Sequence, residues 1–208
     1  MAGAQRLERK QAVSDHKRSL ILDAARRVFE QEGLDGASLR AIAAEAGYTP
    51  AALYFHFDSK EAIYAEVLRV SVARLREEIE RAVAKTRSPA EKLRAAAMAF
   101  FDFYASNPRD LDLGFYLFRG GMKPHGLGKE RDKQLNAALA SALQSISDAA
   151  EELGAKKEEA RMLTVDTFAH AAGLLLLAHT HRIRMFGASA RDLMARYIAD
   201  RIDQLKSG

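Results

Sequence analysis

Between residues 38 and 60 the chain gathers side chains that donate hydrogen bonds: the hydroxyls of Ser38, Thr49 and Tyr54, the imidazole of His56 and the ammonium of Lys60. None has a catalytic partner at a recognisable spacing. Donors of this kind suit the holding of an anion. Lys60 also sits at a helix start that Ser59 can cap, where free amides and the helix dipole attract negative charge. The rest of the chain offers no competing chemistry. Cysteine is absent, which excludes disulfides, thiolate catalysis and cysteine-ligated zinc. No glycine-rich phosphate loop, G-x-S-x-G elbow or H-E-x-x-H pair is present. His179 and His181 are two residues apart and point roughly 200° from each other on a helix, which suits no common metal chelate. No catalytic residue, metal or cofactor is expected, and the chain is not read as an enzyme.

The elements that position these donors are helices. The 208 residues are 48% hydrophobic and 29% charged, a composition that supports a sizeable core. Three of the four prolines follow a capping residue, as Thr49-Pro50, Ser88-Pro89 and Asn107-Pro108. The cap oxygen satisfies an orphan amide, and the ring removes another while pre-setting φ. Glu91 completes a capping box with Ser88, and Ser189 with Asp192 resembles one. Ile21, Ala24, Ala25 and Val28 form one helical stripe, Leu93, Ala97, Phe100 and Tyr104 a second, and Ile198, Ile202 and Leu205 a third. No alternating run predicts a strand. The reading is all-α, with about nine helices at 15–32, 38–46, 50–56, 60–85, 89–106, 108–119, 128–153, 156–185 and 190–206. The glycine-rich loop 120–128 is expected to be the most mobile connection. The longest apolar run, 171–178, is too short to cross a bilayer, and the first residues lack a secretion signal's apolar region. A cytoplasmic location without membrane contact follows.

Within this layout, Ser38 caps a short helix whose inward residues are Leu39, Ile42, Ala43 and Ala46. Gly47 supplies the positive φ of a sharp turn. Thr49 caps the next helix, and Leu53 returns that helix to the core. Two short helices joined by about four residues, with small alanines at their crossing, make a helix-turn-helix. In such a unit the second helix enters the DNA major groove.

The pattern Ile21-x-x-Ala24-Ala25-x-x-Val28-Phe29-x-x-x-Gly33, then Ile42-Ala43-x-x-Ala46-Gly47, then Leu53-Tyr54-x-His56-Phe57-x-Ser59-Lys60-Glu61 resembles the DNA-binding domain of TetR/AcrR-family transcriptional regulators. The resemblance is specific over residues 15–66. It implies that Ser38, Thr49, Tyr54, His56 and Lys60 contact phosphates, and that Tyr48, Pro50, Ala51 and Ala52 face bases. Small apolar side chains there match a thymine methyl group. Arg40 is read as a phosphate contact or a solvated charge, with a base edge as the alternative. Residues 1–60 hold nine Lys/Arg and eight Asp/Glu. Non-specific DNA affinity is therefore modest unless the arm residues Arg6, Arg9, Lys10, Lys17 and Arg18 engage the backbone. The expected organisation is a flexible basic arm over 1–14, a DNA-binding domain over 15–60 and an effector-binding and dimerisation domain over 61–208.

Seven of the sixteen Phe and Tyr lie between residues 100 and 118. An aromatic arc on a helix is usually plain core. Because the resemblance implies an effector housed among these helices, Phe100, Phe103, Tyr104, Phe115, Phe118, Met122, His170 and Leu174 are the expected effector contacts. A helix apolar on every side at 171–178 needs two covers, and the second would be a partner subunit. Leu175, Leu176, His179, Ile183, Tyr197, Ile198 and Ile202 are the expected interface. The function implied is a homodimeric repressor, released from a palindromic operator duplex by a small hydrophobic or aromatic effector, with helix 60–85 coupling the two sites. Two other readings stay open: a small-molecule-binding protein or enzyme whose N-terminal hairpin is structural, and a purely structural helical dimer.

Overall fold

The computed structural model describes residues 2–114 and 127–207, and the described residues are helical with no strand among them. Nine α-helices are described: α1 (Ala2–Gly36), α2 (Leu39–Ala46), α3 (Pro50–Tyr54), α4 (Lys60–Val83), α5 (Pro89–Ser106), α6 (Pro108–Gly114), α7 (Lys129–Glu152), α8 (Lys157–His179) and α9 (Ala190–Ser207). A 3₁₀ turn, Arg182–Phe186, stands between α8 and α9. The expected contacts Phe115, Phe118 and Met122, and most of the 120–128 loop, lie outside the described residues.

Local chemistry sets most of the boundaries. The Ser88–Glu91 capping box is complete at the start of α5: Glu91 N donates to Ser88 Oγ at 3.3 Å, and Ser88 N donates to Glu91 Oε2 at 3.1 Å. Asp192 N donates to Ser189 Oγ at 3.3 Å, which opens α9. Two boundaries differ from the expected ones. α1 begins at Ala2 and not at residue 15, so residues 2–14 are continuous with its remainder. Apart from Gly3, Val13 and Ser14 their residues (Ala, Gln, Arg, Leu, Glu, Lys) are good helix formers, although they carry no apolar stripe. The long helix expected over 156–185 ends at His179: the Thr180 hydroxyl donates to Leu176 O at 2.7 Å, and His181 adopts a left-handed backbone at φ 58° before the 3₁₀ turn.

The chain forms two compact units. One comprises residues 1–70 and 112–135, the other residues 71–111 and 136–208. The core of the first joins Ile21, Ala25, Val28 and Phe29 of α1 to Ile42 and Ala43 of α2, Leu53 of α3 and Ile63, Tyr64 and Val67 of α4. Leu113 and Leu127 also enter this core, and Tyr64 Oη donates to Leu113 O at 2.7 Å. In the second unit Leu75 and Ile79 of α4, the apolar face of α5, and Met194, Ile198 and Ile202 of α9 are all buried. α8 is the one described helix long and apolar enough to cross a membrane by length and composition. One of its faces, with Ala160, Leu163, Thr167, Ala171, Leu174 and Leu175, is buried.

Candidate nucleic-acid interface

The hairpin of α2 and α3 is built by caps at each corner. Ser38 is extended at φ −132° and ψ 152°, and its Oγ accepts from Ala41 N at 3.1 Å. Thr49, at φ −80° and ψ 152°, accepts from Ala52 N at 3.3 Å, with Pro50 as the first helical residue. Between them Gly47 turns the chain at φ 71° and ψ 26°, a left-handed conformation that a Cβ would strain. Its N–H is directed at the carbonyls of Ala43 and Ala44, and Tyr48 N donates to Ala43 O at 2.8 Å. Ile42, Ala43 and Leu53 pack wholly inside. Leu39, Ala41, Ala46 and Tyr48 pack partly against the same core.

The outward side carries the donors. Each capping hydroxyl uses a lone pair for its cap, so the O–H hydrogens of Ser38 and Thr49 remain to donate to an anion. Both residues are exposed, as are Arg40, Pro50 and Ala51; Ala52 and His56 are half-buried. Tyr54 is 60% exposed. Tyr48 is half-buried and packs on the core of the unit. Phe55 is 88% exposed at the end of α3, with its ring edge-on to His56 at 5.8 Å. The sequence reading passed over Phe55, although the period shows it: Leu53 and Phe57 point inward, so position 55 cannot. Phe55 has no donor and offers an apolar surface beside the tyrosine and histidine.

Lys60 behaves otherwise. Its Nζ lies 2.8 Å from Leu34 O, 3.2 Å from Asp35 O and 3.1 Å from Ala37 O. An ammonium has three N–H donors, and all three are taken by the carbonyls that end α1. Lys60 thereby closes the C-terminus of α1 over the start of α4, as a cation at a helix C-terminus does. Arg18 is also turned to a structural use. Its guanidinium lies 4.6 Å from the Phe57 ring centroid and 3.2 Å from Glu66. That pair, together with Arg69, holds the Glu66 carboxyl below the usual carboxylate range, with the hydrogen bond from Arg69 the largest cause.

The second unit places its expected residues mostly in its own core. Phe100, Phe103 and Tyr104 are buried in an edge-to-face cluster, with Phe100 to Tyr104 at 5.3 Å and Phe103 to Tyr104 at 5.1 Å. Burial pushes the Tyr104 hydroxyl well above its ordinary range, and the charge of Asp110 adds to the effect. Leu174 is buried, and His170 is half-buried and stacked on Tyr197 at 4.1 Å. A cavity of about 500 Å³ opens between α4 and α5, lined by Ala82, Ala95, Met98, Ala99 and Phe103 and also by Glu78, Arg81, Lys85 and Asp102. Of the expected effector residues that are described, only Phe103 lines it. Of the expected interface, Leu175, Ile183, Ile198 and Ile202 are buried within the chain itself. Within one chain these four are already covered. Leu176 is 60% exposed, His179 and Tyr197 are half-buried, and Met162, Val165, Met185 and Phe186 are large apolar side chains left outward.

Two short capped helices around a left-handed glycine, with donors on the outer side, place the chain in the class of helix-turn-helix proteins. Residues 21–67 match the model of bacterial regulatory proteins of the tetR family. The transcriptional activator FasR of Mycolicibacterium smegmatis is 39% identical over 89 residues, which are 43% of this chain and 41% of that protein. The alignment thus spans about two-fifths of that relative's length. Among solved structures, a transcriptional regulator of Pseudomonas aeruginosa superposes with a TM-score of 0.74 at 20% identity, over 94% of this chain and 92% of that one. FadR of Bacillus subtilis, solved in complex with stearoyl-CoA, superposes with a TM-score of 0.67 at 18% identity, over 91% and 98%. Residues 21–67 thus carry the tetR-family match, and the fold of the whole chain is similar to that of these solved regulators along nearly its whole length.

Proposed function

We propose that the chain is a sequence-specific DNA-binding transcriptional regulator that works as a homodimer. One observation carries the reading: the α2–α3 hairpin buries Ile42, Ala43 and Leu53 and leaves the donors Ser38, Thr49 and Tyr54 exposed, with a fourth, His56, half-buried beside them. Those four side chains hold phosphates and fix register, while Pro50, Ala51, Ala52 and Phe55 meet base edges, thymine methyl groups above all. Tyr48 contributes from its half-buried position, and Arg40 takes a phosphate. Two-fold symmetry pairs two hairpins with a palindromic site whose half-sites lie about one helical turn apart, roughly 34–36 Å, or a multiple of it. The exposed apolar face of α8, with Met162, Val165 and Leu176, supports the dimer, because large apolar side chains in one stripe call for a cover.

The unit of residues 71–111 and 136–208 receives a small, largely apolar effector. The apolar part of the cavity lining, Ala82, Ala95, Met98, Ala99 and Phe103, supports that class, and so does the stearoyl-CoA bound by the Bacillus subtilis relative. α4 contributes its first residues to one unit and its last to the other, over about 36 Å of helix. Effector binding that shifts α4 changes the separation of the two α3 helices, and the operator is released. The protein is then a repressor in the effector's absence. Allosteric coupling of about 1–3 kcal/mol lowers operator affinity roughly 5- to 150-fold. The test is a gel-shift assay with the DNA flanking the chain's own gene, run with the native protein and with Tyr54→Ala. A shift with the native protein that weakens alike on every duplex with Tyr54→Ala is expected. No shift on that DNA, nor on a random-sequence pool, refutes the reading.

A further inference from the structure

The N-terminal half of α1 is not needed for the hairpin's core, which draws on this helix only from Ile21 onward. At about 100° per residue, Arg6, Arg9, Val13, His16, Lys17 and Leu20 fall within an arc of roughly 100°. All six are exposed. Glu8 and Asp15 lie on the opposite side, and Asp15 accepts from Gln11 Nε2 at 2.8 Å. Charge is therefore segregated around the helix, although its total over residues 1–60 is nearly balanced. Among the described residues Arg6, Arg9 and Lys17 have no ion-pair partner. Arg18, the neighbouring cation, is engaged by Glu66 and Phe57 and belongs to the core side.

We infer that this face is a second, sequence-independent contact with the DNA backbone, made by the same helix whose other half carries the hairpin. The inference rests on the DNA-binding function proposed above and adds a surface to it. Arg6 and Lys17 are eleven residues apart, about 16 Å along the axis, so the three cations address a stretch of phosphates and not a single one. Duplex DNA presents one charge per roughly 1.7 Å of its length, and each neutralised phosphate releases a counterion. A membrane surface is the poorer fit. Interfacial helices bury a broad apolar face, whereas here Val13 and Leu20 stand singly among the cations. Glu8 and Asp15, turned away, avoid the repulsion that a uniformly mixed helix would meet at a polyanion.

The experiment measures anisotropy of a labelled duplex of about 30 base pairs with random sequence, and of one enriched by selection, across a series of salt concentrations. Native protein is compared with Arg6→Gln/Arg9→Gln/Lys17→Gln, which keeps good helix formers, and with Glu8→Gln/Asp15→Asn on the far face. Circular dichroism confirms equal helicity. The triple variant is expected to lower the slope of log K against log salt by about three per subunit on both duplexes, with sequence preference unchanged, while the far-face variant leaves the slope as it was. An unchanged slope in the triple variant, with native binding intact, overturns this inference and leaves the hairpin's function standing. Failure of the native chain to bind any duplex overturns both. Loss of binding to phosphatidylglycerol vesicles by the triple variant, without a change in the DNA slope, assigns the face to a membrane and also overturns it.

Discussion

The α2–α3 hairpin and the bundle of α5, α8 and α9 use their side chains in opposite ways. The hairpin closes on aliphatic residues, Ile42, Ala43 and Leu53, and leaves its capping hydroxyls and the Tyr54 phenol exposed, with the His56 imidazole half-buried. The bundle closes on its aromatic rings, Phe100, Phe101, Phe103 and Tyr104, and leaves aliphatic residues of α8 outside. A surface unit with a thin core can display polar chemistry because its fold is fixed by caps and one left-handed glycine. A thick core must consume its large apolar residues, so aromatic density there reports packing before it reports a ligand. Function in the first region is read from what points outward. In the second, the proposed effector and dimer roles rest on the cavity between α4 and α5 and on the exposed face of α8.

Substitutions that treat the two regions as equivalent should separate them. The largest effect is expected at Ile198, which is 0% exposed. Ile198→Asp leaves an unpaired charge in the core and should cost more than about 4 kcal/mol, enough to abolish the cooperative transition in urea. Leu176→Asp, at 60% exposure, should instead leave the fold intact and weaken self-association in sedimentation. Equal damage from the two would erase the distinction between core and interface.

Lys60→Ala is expected next. It strips three carbonyls of their donor and should lower stability by about 1–3 kcal/mol in urea denaturation. Tyr54→Phe should leave the midpoint unchanged and reduce DNA affinity. Lys60→Ala with native stability would return Lys60 to the phosphate-binding set. Thr49→Ala removes the cap of α3 and should cost about 1 kcal/mol, whereas Thr49→Ser should retain the cap.

The smallest effect concerns pH. Burial, and then the charge of Arg201, hold the His170 imidazole below its ordinary 6.5. As pH falls through the unfolded value, the unfolded chain binds a proton that the folded chain refuses. The stability of neutral His170 is therefore complete above about pH 6.5 and is lost below it, down to the lowered native value. The melting temperature should fall more between about pH 7.5 and about pH 5.5 for the native protein than for His170→Gln. Identical pH slopes in a thermal scan would remove His170 from the account.

Legibility in the sequence followed the range of the interactions. Ser38, Gly47 and Thr49-Pro50 act on residues within four positions, and each is placed as its type and spacing require. The carbonyl partners of Lys60 were not legible because they lie 23 to 26 residues back and carry no side-chain signature. The helical start of α1 was missed because residues 2–14 have propensity without apolar period. The end of α8 was missed because a left-handed His181 looks like an ordinary helix residue. For Leu175, Ile198 and Ile202 the helical stripe was right, but a stripe does not say whether its cover comes from the same chain or a second one.

The central claim is that residues 38–56 read duplex DNA with two classes of contact, donors on phosphates and small apolar residues at bases. Selection and sequencing from a random duplex pool, run in parallel with native protein, Ala51→Asn and Tyr54→Ala, tests it most directly. The account predicts a palindromic native motif with half-sites about one turn, or a multiple of it, apart. Ala51→Asn should change bases inside the half-sites, and Tyr54→Ala should recover the native motif with weaker enrichment. A native pool with no enriched motif, or a motif altered by Tyr54→Ala and unmoved by Ala51→Asn, would contradict it.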